Sequence, residues 1–406
     1  MVQETGEFSS VQSRDLQYLI MREGDMNKFD EVLDFIKTLY PGENPVPLHA
    51  PRFLGNEKKY LAECVDTTYV SYVGKFVTDF EEHIKRLTGS TYAAAFVNGT
   101  TALQIALIAA GVKPGDEVIT QALTFAATAA GICHAQAEPI FIDVDENTLG
   151  MNPDALARFL DVYAESRGGV VINKKTGKRI AAVVPMHTFG HPVRIEDISE
   201  ICKKYGITLI EDAAESLGSC YKNRHTGTFG AAAILSFNGN KPVTTGGGGM
   251  IISNDEALIE KARHLSTTAK KKHPWEFFHD EIGYNFRMPN VNAALGCAQM
   301  EYFDKILTNK RATADMYRNF FRGTGIEFFN EPENSQSNYW LNVILLKDRQ
   351  ERDSFLGFSN ANGVQTRPVW KLLPTLPPYK KFLCTEIPVA KMLEDRIVNI
   401  PSSYRV

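Results

Sequence analysis

The sequence predicts an α/β protein with a mainly parallel central sheet sandwiched by helices and a smaller α/β domain at its C-terminal end. Between about residues 90 and 255, short apolar segments alternate with helical patterns. Parallel strands joined by crossover helices give this alternation. The chain has 406 residues, which is more than one hydrophobic core usually holds, so two domains are expected.

The elements follow in order along the chain. Residues 30–40 have helical spacing, and Pro41-Gly42 ends that helix. Residues 167–179 contain Gly-Gly and Asn-Lys-Lys-Thr-Gly-Lys, which predicts a polar hairpin or loop insertion. Four short apolar segments predict buried strands, and they are residues 117–120, 138–142, 181–185 and 208–210.

The C-terminal third has a different pattern. A helical segment at residues 291–300 is expected to continue into a long helix through Tyr317 that links the domains. Residues 338–346 and 363–367 predict strands of the smaller domain. We therefore expect three regions, which are a helical N-terminal extension (1–45), a large domain (46–300) and a small domain (301–406).

Composition excludes several classes of function. A net charge of −4 gives no field that attracts nucleic acid or an anionic membrane. No apolar run approaches a membrane span, and the start Met1-Val2-Gln3-Glu4-Thr5 is polar. Six scattered cysteines without a C-x-x-C motif are typical of reduced thiols. We expect a cytoplasmic protein without a membrane or nucleic-acid partner.

Lys241 has the most informative setting in the chain. Ser236 precedes it by five residues, and the glycines 246–249 follow it. A lysine that forms a Schiff base needs a fixed position, a hydroxyl that helps to hold an anion, and space for a ligand. The alternative is a glycine-rich surface loop with a chance lysine.

An acidic residue ends the predicted strand before this lysine. Asp212 follows an apolar strand, and Glu215 comes three residues later. Ligands of open α/β sheets bind beyond the carboxyl ends of the strands, where Asp212 would hold a pyridine nitrogen protonated. The alternative is that Asp212 caps the next helix.

A third segment predicts an anion site. Gly99, Thr100 and Thr101 lie between an apolar run and an alanine-rich helical pattern. Free N–H groups, two hydroxyls and the positive end of a helix dipole suit a phosphate. The alternative is an ordinary threonine N-cap.

The order of five motifs resembles the DegT/DnrJ/StrS sugar aminotransferases from about Val46 to the C-terminus. The motifs are Asn-Gly-Thr-Thr-Ala-Leu (98–103), Gly-Asp-Glu-Val-Ile-Thr (115–120), Glu-Asp-Ala-Ala-Glu (211–215), Ser236-Phe-x-x-x-Lys241 with its glycines, and Gly-Tyr-Asn-Phe-Arg-Met (283–288). The resemblance implies a pyridoxal 5′-phosphate enzyme of the aspartate-aminotransferase fold (fold type I). Such an enzyme aminates a nucleotide-linked keto sugar with L-glutamate as donor.

The resemblance also implies roles for individual residues. Lys241 matches the lysine that binds the cofactor and then transfers protons, and Asp212 matches the partner of the pyridine nitrogen. Glu215 falls near the cofactor's phenolic oxygen, and Phe125 matches the aromatic residue stacked on the ring. The implied phosphate contacts are Gly99, Thr100, Thr101 and Ser236, with Asn285 reaching the phosphate of a neighbouring subunit in a homodimer with shared sites.

Residues 47–53 and 73–77 resemble one branch of the family. That branch acts on UDP-linked 4-keto-6-deoxy-2-acetamido sugars in the bacillosamine and legionaminic acid pathways. Substrate contacts are expected from His187, Lys75, Tyr72 and Arg367. We expect no metal site, because the segment around His187 and His191 contains the helix breakers Pro185, Gly190 and Pro192.

Three alternatives to this function are open. A sugar dehydratase of the same fold replaces the lysine with histidine, according to the resemblance, so Lys241 argues against it. A non-catalytic cofactor-binding regulator needs no nucleophile, so the intact set of residues argues against that alternative. An aminotransferase for a dTDP- or GDP-linked 4-keto-6-deoxy sugar differs only in its substrate.

Overall fold

A computed structural model describes residues 23–406, with side chains from residue 28 onward. Residues 1–22, which hold the polar start and half of the predicted N-terminal extension, lie outside the described residues. The helices are α1 (Glu23–Leu39), α2 (Glu57–Asp66), α3 (Lys75–Thr88), α4 (Gly99–Ala109), α5 (Ala126–His134), α6 (Pro153–Tyr163), α7 (Ile195–Tyr205), α8 (Glu256–Ser266), α9 (Asn290–Met300), α10 (Phe303–Phe321), α11 (Arg349–Ala361) and α12 (Pro388–Arg396).

The strands belong to one large sheet and three smaller ones. They are β1 (Tyr92–Phe96), β2 (Glu117–Gln121), β3 (Glu138–Ile142), β4 (Ala164–Arg167), β5 (Val170–Asn173), β6 (Ile180–Val184), β7 (Thr208–Asp212), β8 (Cys220–Tyr221), β9 (Arg224–His225), β10 (Ala232–Ser236), β11 (Gly249–Ser253), β12 (Glu327–Phe328), β13 (Ser335–Gln336), β14 (Asn342–Leu345), β15 (Arg367–Pro368) and β16 (Ile397–Ile400).

The large sheet has the strand order β1-β11-β10-β7-β6-β2-β3. Strand β11 pairs antiparallel with both of its neighbours, and the other pairs are parallel. Both faces are covered, which explains why each strand has an apolar centre. In β1, Ala94 and Phe96 pack into the core beneath α4 and α8, whereas Ala93 and Ala95 pack into the opposite core with α3 and α9. The predicted sandwich of a mainly parallel sheet between helices is confirmed.

The second sheet, β12-β14-β16-β15, is antiparallel and carries its own core. Helix α1 contributes Phe29 and Ile36 to that core, beside Tyr317 of α10 and Phe355 of α11. The N-terminal helix is thus built into the smaller unit, although it precedes the large sheet in the chain. The strand predicted over residues 363–367 is reduced to the two residues of β15.

Two other details differ in extent from the sequence analysis. The helical pattern from residue 291 to Tyr317 is divided into α9 and α10, with Glu301 and Tyr302 between them. The polar insertion is a hairpin, because β4 pairs antiparallel with β5. In the described part of the chain, no helix is long and apolar enough to cross a membrane.

The direction of the strands brings distant motifs to one edge of the large sheet. Parallel strands end at the same edge, and β1, β2, β7 and β10 therefore place Asn98, Phe125, Asp212 and Ser236 there. Because β11 runs in the opposite direction, its amino end and the preceding glycines 246–248 meet the same edge. The fold thus gathers the motifs of the sequence around one location.

Candidate active site

A cavity of about 310 Å³ opens at this edge of the sheet. Its walls come from the loops after the strands and from two tryptophans nearer the C-terminus. The lining residues are Asn98, Gly99, Thr100, Leu103, Phe125, Ala127, Thr128, Met186, Asp212, Ala214, Glu215, Ile234, Ser236, Asn238, Asn240, Lys241, Trp340 and Trp370. Lys241, Asp212, Glu215, Gly99, Thr100, Phe125 and Ser236, all named from the sequence, are brought together here.

Lys241 lies in the loop between β10 and β11 and is only 7% exposed. Its Nζ lies 3.2 Å from Oε1 of Glu215 and 3.6 Å from the centre of the Trp340 ring. The Trp340 indole also donates its Nε1–H to the carbonyl of Asn240, at 2.7 Å. Lys241 is therefore held between a carboxylate and an aromatic face, which is unlike a chance lysine on a surface loop.

Glu215 is almost fully buried and has two contacts in the site. Oε1 accepts from Lys241, and Oε2 accepts the backbone N–H of Phe189 at 2.9 Å. Burial raises the pKa of Glu215 to about 7, although the neighbouring Lys241 acts in the opposite direction. The carboxyl group can therefore exchange a proton near neutral pH.

Asp212 ends β7 and is 4% exposed. Its Oδ2 accepts the hydroxyl of Thr128 at 2.7 Å, and Oδ1 accepts the N–H of Ala214 at 3.2 Å. Burial raises the pKa of Asp212, against these two hydrogen bonds. No helix follows within the next forty residues, since α8 begins at Glu256. The alternative in which Asp212 caps the next helix is therefore excluded.

The start of α4 forms one end of the cavity. Asn98 caps the helix by accepting the N–H of Thr101 at 2.8 Å, and the Thr101 hydroxyl donates to the Asn98 carbonyl. The N–H groups of Gly99 and Thr100 have no partner within a helix, and both residues line the cavity with Ser236. Thr101 does not line it, so its predicted phosphate contact is not supported by the structure.

His187 lies beneath the cavity and is fully buried. The N–H of Val193 donates to Nδ1 at 3.2 Å, so the ring proton is on Nε2 and donates to Glu211 at 3.1 Å. Glu211 also accepts three backbone N–H groups, from Gly227, Phe229 and Gly230. Burial alone raises the pKa of Glu211, yet these hydrogen bonds hold it below its ordinary value. The prediction that His187 contacts substrate is not supported, because the side chain has no exposed surface.

Two residues that were not predicted from the sequence contact the predicted pair: Thr128 bonds to Asp212, and Trp340 covers Lys241. Thr128 lies three residues after Phe125 in the same segment, so its position was available, but one threonine is a weak signal. Trp340 comes from the segment before β14, far along the chain. Phe125, which is half exposed at the cavity, lies 5.7 Å from Trp370 between ring centres.

Besides Thr101 and His187, four predicted residues do not line this cavity. Tyr72 is exposed, and Lys75 is exposed and paired with Glu63. Asn285 is exposed in the segment after α8. Arg367 lines a neighbouring cavity of about 750 Å³, which shares three wall residues with the first. The shared residues are Asn240, Trp340 and Trp370. Neither His187 nor His191 belongs to a group of three possible metal ligands in the described residues.

Comparison with known proteins identifies the family. The model of the DegT/DnrJ/EryC1/StrS aminotransferase family matches residues 53–406. GDP-perosamine synthase of Escherichia coli O157:H7 is 35% identical over 357 residues, which are 88% of this chain and 93% of that protein. EpsN of Bacillus subtilis (strain 168), provisionally named a pyridoxal phosphate-dependent aminotransferase, is 38% identical over 331 residues, or 81% of this chain and 82% of that protein.

A solved structure agrees with this identification. The crystal structure of a DegT DnrJ EryC1 StrS aminotransferase from Brucella abortus matches with a TM-score of 0.78 and 25% identity, covering 86% of this chain and 90% of that chain. The chain belongs to the DegT/DnrJ/EryC1/StrS aminotransferase family. It is a pyridoxal phosphate-dependent aminotransferase, as the sequence predicted.

The residues of the cavity fit pyridoxal phosphate. Asp212 is a buried carboxylate at the cavity wall with only two hydrogen-bond donors, and a protonated pyridine nitrogen would supply the positive charge that it lacks. At the other end, a Cβ on Gly99 would lie 3.3 Å from Cβ of Ser236, and one on Gly249 would lie 2.4 Å from the backbone of Asn98. Glycine at both positions keeps the helix start close to Ser236, which suits a phosphate cradle.

Glu215 is expected to make the stability of the apoprotein depend on pH. Its pKa is raised from 4.5 to about 7 in the folded state, so between these values the folded protein holds a proton that the unfolded chain releases. Stability therefore falls as pH rises through this window. In Glu215→Gln this cost is absent, so the free energy of unfolding relative to wild type should rise by at most about 3 kcal/mol between pH 4 and 8.

Urea unfolding of the apoproteins at several pH values measures this difference. Glu333→Gln, which removes an exposed carboxylate, is the control and should follow the wild-type curve. Parallel curves for wild type and Glu215→Gln would show that Glu215 does not titrate in this range.

Proposed function

We propose that this aminotransferase transfers the amino group of L-glutamate to C4 of a nucleotide-linked 4-keto-6-deoxy sugar. The observation that carries the proposal is the contact of Lys241 with Glu215 in a cavity that Asp212 also lines. A nitrogen nucleophile and two buried carboxyl groups thus line one cavity, which supports a reaction of this kind. The relatives named for sugar synthesis support a sugar as the amino acceptor.

Each residue in the cavity has a separate task in this reaction. Thr100 and Ser236, with the N–H groups at the start of α4, would hold the cofactor's phosphate. Phe125 would cover the ring, and Asp212 would keep its nitrogen protonated. When bound, pyridoxal phosphate supplies an electron sink for the charge that forms at the substrate carbon. The Thr128 hydroxyl directs Oδ2 of Asp212, so the carboxylate keeps one orientation.

Lys241 would transfer the protons of the reaction. Once free, its Nζ can remove a proton from the donor carbon and return one to the sugar carbon, and Glu215 at 3.2 Å stabilises the ammonium between these steps. Trp340, Phe125 and Trp370 line the same cavity as Lys241, and their apolar faces limit the access of water to the reacting atoms.

The test of the transaminase proposal uses the absorption of bound cofactor. L-Glutamate should convert the near-visible band of the purified enzyme to that of the amine form, with release of 2-oxoglutarate. In Lys241→Ala, turnover should fall by at least about 10²–10⁴-fold, since the acid–base group is lost. Lys203→Ala, at an exposed lysine that lines neither this cavity nor the neighbouring one, is the control for loss of a positive charge. No spectral change with glutamate in the wild type would reject glutamate as the donor.

We also propose that two copies of the chain share their active sites. Asn285 is exposed and does not line the cavity of its own chain. It adjoins the segment 275–282, in which Trp275, Phe277 and Ile282 are each at least 78% exposed. Such a cluster of large apolar side chains indicates an interaction surface. A second copy that covers this surface would carry Asn285 to the neighbouring phosphate site.

Mixed dimers test this arrangement. Subunits with Lys241→Ala and subunits with Asn285→Ala would each form dimers with two damaged sites. In a mixed dimer one site keeps Lys241 and receives Asn285 from its partner, so an equal mixture should regain about a quarter of the wild-type sites. The assay is activity at limiting cofactor after co-expression with two affinity tags. Recovery would be absent if Asn285 acted within its own subunit or if the chain were monomeric.

For the sugar nucleotide, we propose a UDP-linked 4-keto-6-deoxy-2-acetamido hexose. The resemblance of residues 47–53 and 73–77 to one branch of the family supports it. A GDP-linked 4-keto-6-deoxy sugar without the acetamido group is the second candidate, and the E. coli relative named GDP-perosamine synthase supports that one. In both cases we expect the diphosphate near Arg367, in the cavity beside Trp340 and Trp370.

Competition between the sugar nucleotides determines which nucleotide the enzyme prefers on its substrate. A site built to bond an acetamide leaves its partners unpaired when that group is missing, which costs about 1–3 kcal/mol for each group. The UDP-acetamido sugar should therefore have the higher kcat/KM when UDP-, dTDP- and GDP-linked sugars are compared with glutamate as donor. Arg367→Ala should raise KM for each of them through the diphosphate. Preference for the GDP sugar would overturn the branch assignment and leave the transaminase reaction intact.

A further inference from the structure

Lys310 is a fully enclosed lysine outside the cavity that binds the cofactor. It lies in α10 and is only 2% exposed. Its Nζ donates to three acceptors, which are Nε2 of His49 at 3.0 Å, the carbonyl of Trp340 at 3.1 Å and the carbonyl of Ser402 at 2.7 Å. All three ammonium hydrogens are thus used, and no acceptor carries a negative charge.

Burying a lysine side chain in such a position costs free energy. Burial lowers the pKa of Lys310 to about 7, and an apolar residue of the same length would avoid the desolvation. The three bonds of Lys310 join segments that are distant in the chain: the entry to the large domain at His49, the segment before β14 at Trp340, and the C-terminal tail at Ser402.

The hydrogen bond from Lys310 to Trp340 connects Lys310 with Lys241. Lys310 fixes the backbone carbonyl of Trp340, while the Trp340 indole donates to the carbonyl of Asn240 and lies with its ring 3.6 Å from Nζ of Lys241. The backbone of the same segment is also bonded at Asn338, whose Oδ1 accepts the N–H of Trp340 at 2.8 Å. Trp340 is therefore held at its backbone N–H, at its backbone carbonyl and at its indole N–H, and together these bonds keep its ring over Lys241.

We propose that Lys310 is a positioning residue, which acts through Trp340 to hold the aromatic face against Lys241 and the loop that carries it. Lys310 touches neither cofactor nor substrate. The inference rests on the pyridoxal phosphate chemistry of the family and does not depend on which sugar is the acceptor.

The test compares Lys310→Met with Tyr317→Phe in the enzyme loaded with pyridoxal phosphate. Tyr317 lies on the same helix and donates its hydroxyl to the carbonyl of Pro401 at 2.9 Å, so its loss also removes a buried bond to the C-terminal tail. It has no contact with Trp340 among its side-chain hydrogen bonds or ring pairs. Tyr317→Phe therefore also removes a buried hydrogen bond between α10 and the C-terminal tail, without the proposed effect on the site.

Two readouts are expected to separate the variants. In Lys310→Met, the pH midpoint of the near-visible band should move down by about 0.5–1 unit, the equivalent of losing a cation–π contact. The rate of the glutamate half-reaction should fall about 10- to 100-fold, as for a small misplacement of a reacting group. Tyr317→Phe should retain the wild-type midpoint and rate. Equal changes in both variants would overturn the proposal.

A second variant keeps the test decisive if Lys310→Met folds poorly. Trp340→Phe retains the backbone carbonyl that Lys310 binds but removes the indole, so it should reproduce the lower midpoint and the slower half-reaction. In that background Lys310→Met should add less than about twofold, because coupled residues are not additive. Wild-type behaviour of Trp340→Phe, or full additivity of the two changes, would also overturn the proposal.

Discussion

The burial of three carboxyl groups within five residues is the constraint on which the active site depends. Glu211, Asp212 and Glu215 are all less than 5% exposed, and a buried carboxylate needs donors or a positive charge. Glu211 receives a complete set from His187 and three backbone N–H groups of the loop at 227–230. Glu211 therefore makes all of its hydrogen bonds within the protein, and it provides a fixed base for Asp212 and Glu215.

Asp212 and Glu215 have fewer hydrogen-bond donors than Glu211, and this difference leaves both carboxyl groups able to interact with a ligand. Asp212 has a hydroxyl and one N–H, and Glu215 has one N–H and Lys241. The N–H that serves Glu215 belongs to Phe189, a non-glycine residue with φ of 56°. Backbone of this kind costs about 1–3 kcal/mol and persists where neighbouring structure imposes it. The strained backbone at Phe189 therefore helps to keep Glu215 in place beside Lys241.

Much of the fold and the centre of the site could be predicted from the sequence. Strands buried on both faces have continuous apolar runs, so β2, β3, β6 and β7 were found close to their positions. Lys241, Asp212 and Glu215 lie in motifs whose neighbours are also in the site, so local sequence carried the signal. Trp340 and Lys310 could not be found in this way, because their contacts are distant in the chain: Asn240 is 100 residues from Trp340, and His49 is 261 residues from Lys310. The orientation of His187 could not be predicted for a related reason: a histidine near the site has the same local sequence whether its ring faces the ligand or, as here, is buried.

The smaller unit also contributes to the surroundings of Lys241. Lys241 extends from the large sheet, but the ring over it belongs to Trp340, which precedes β14 of the small sheet. Helix α1 and the C-terminal tail are anchored in the small unit as well, through the core beside Tyr317 and the bonds of Lys310. A shift of the small unit against the large sheet would therefore carry Trp340 with it and change the wall of both cavities at once. The packing of the two units thus sets the environment of Lys241 together with the shape of the neighbouring cavity.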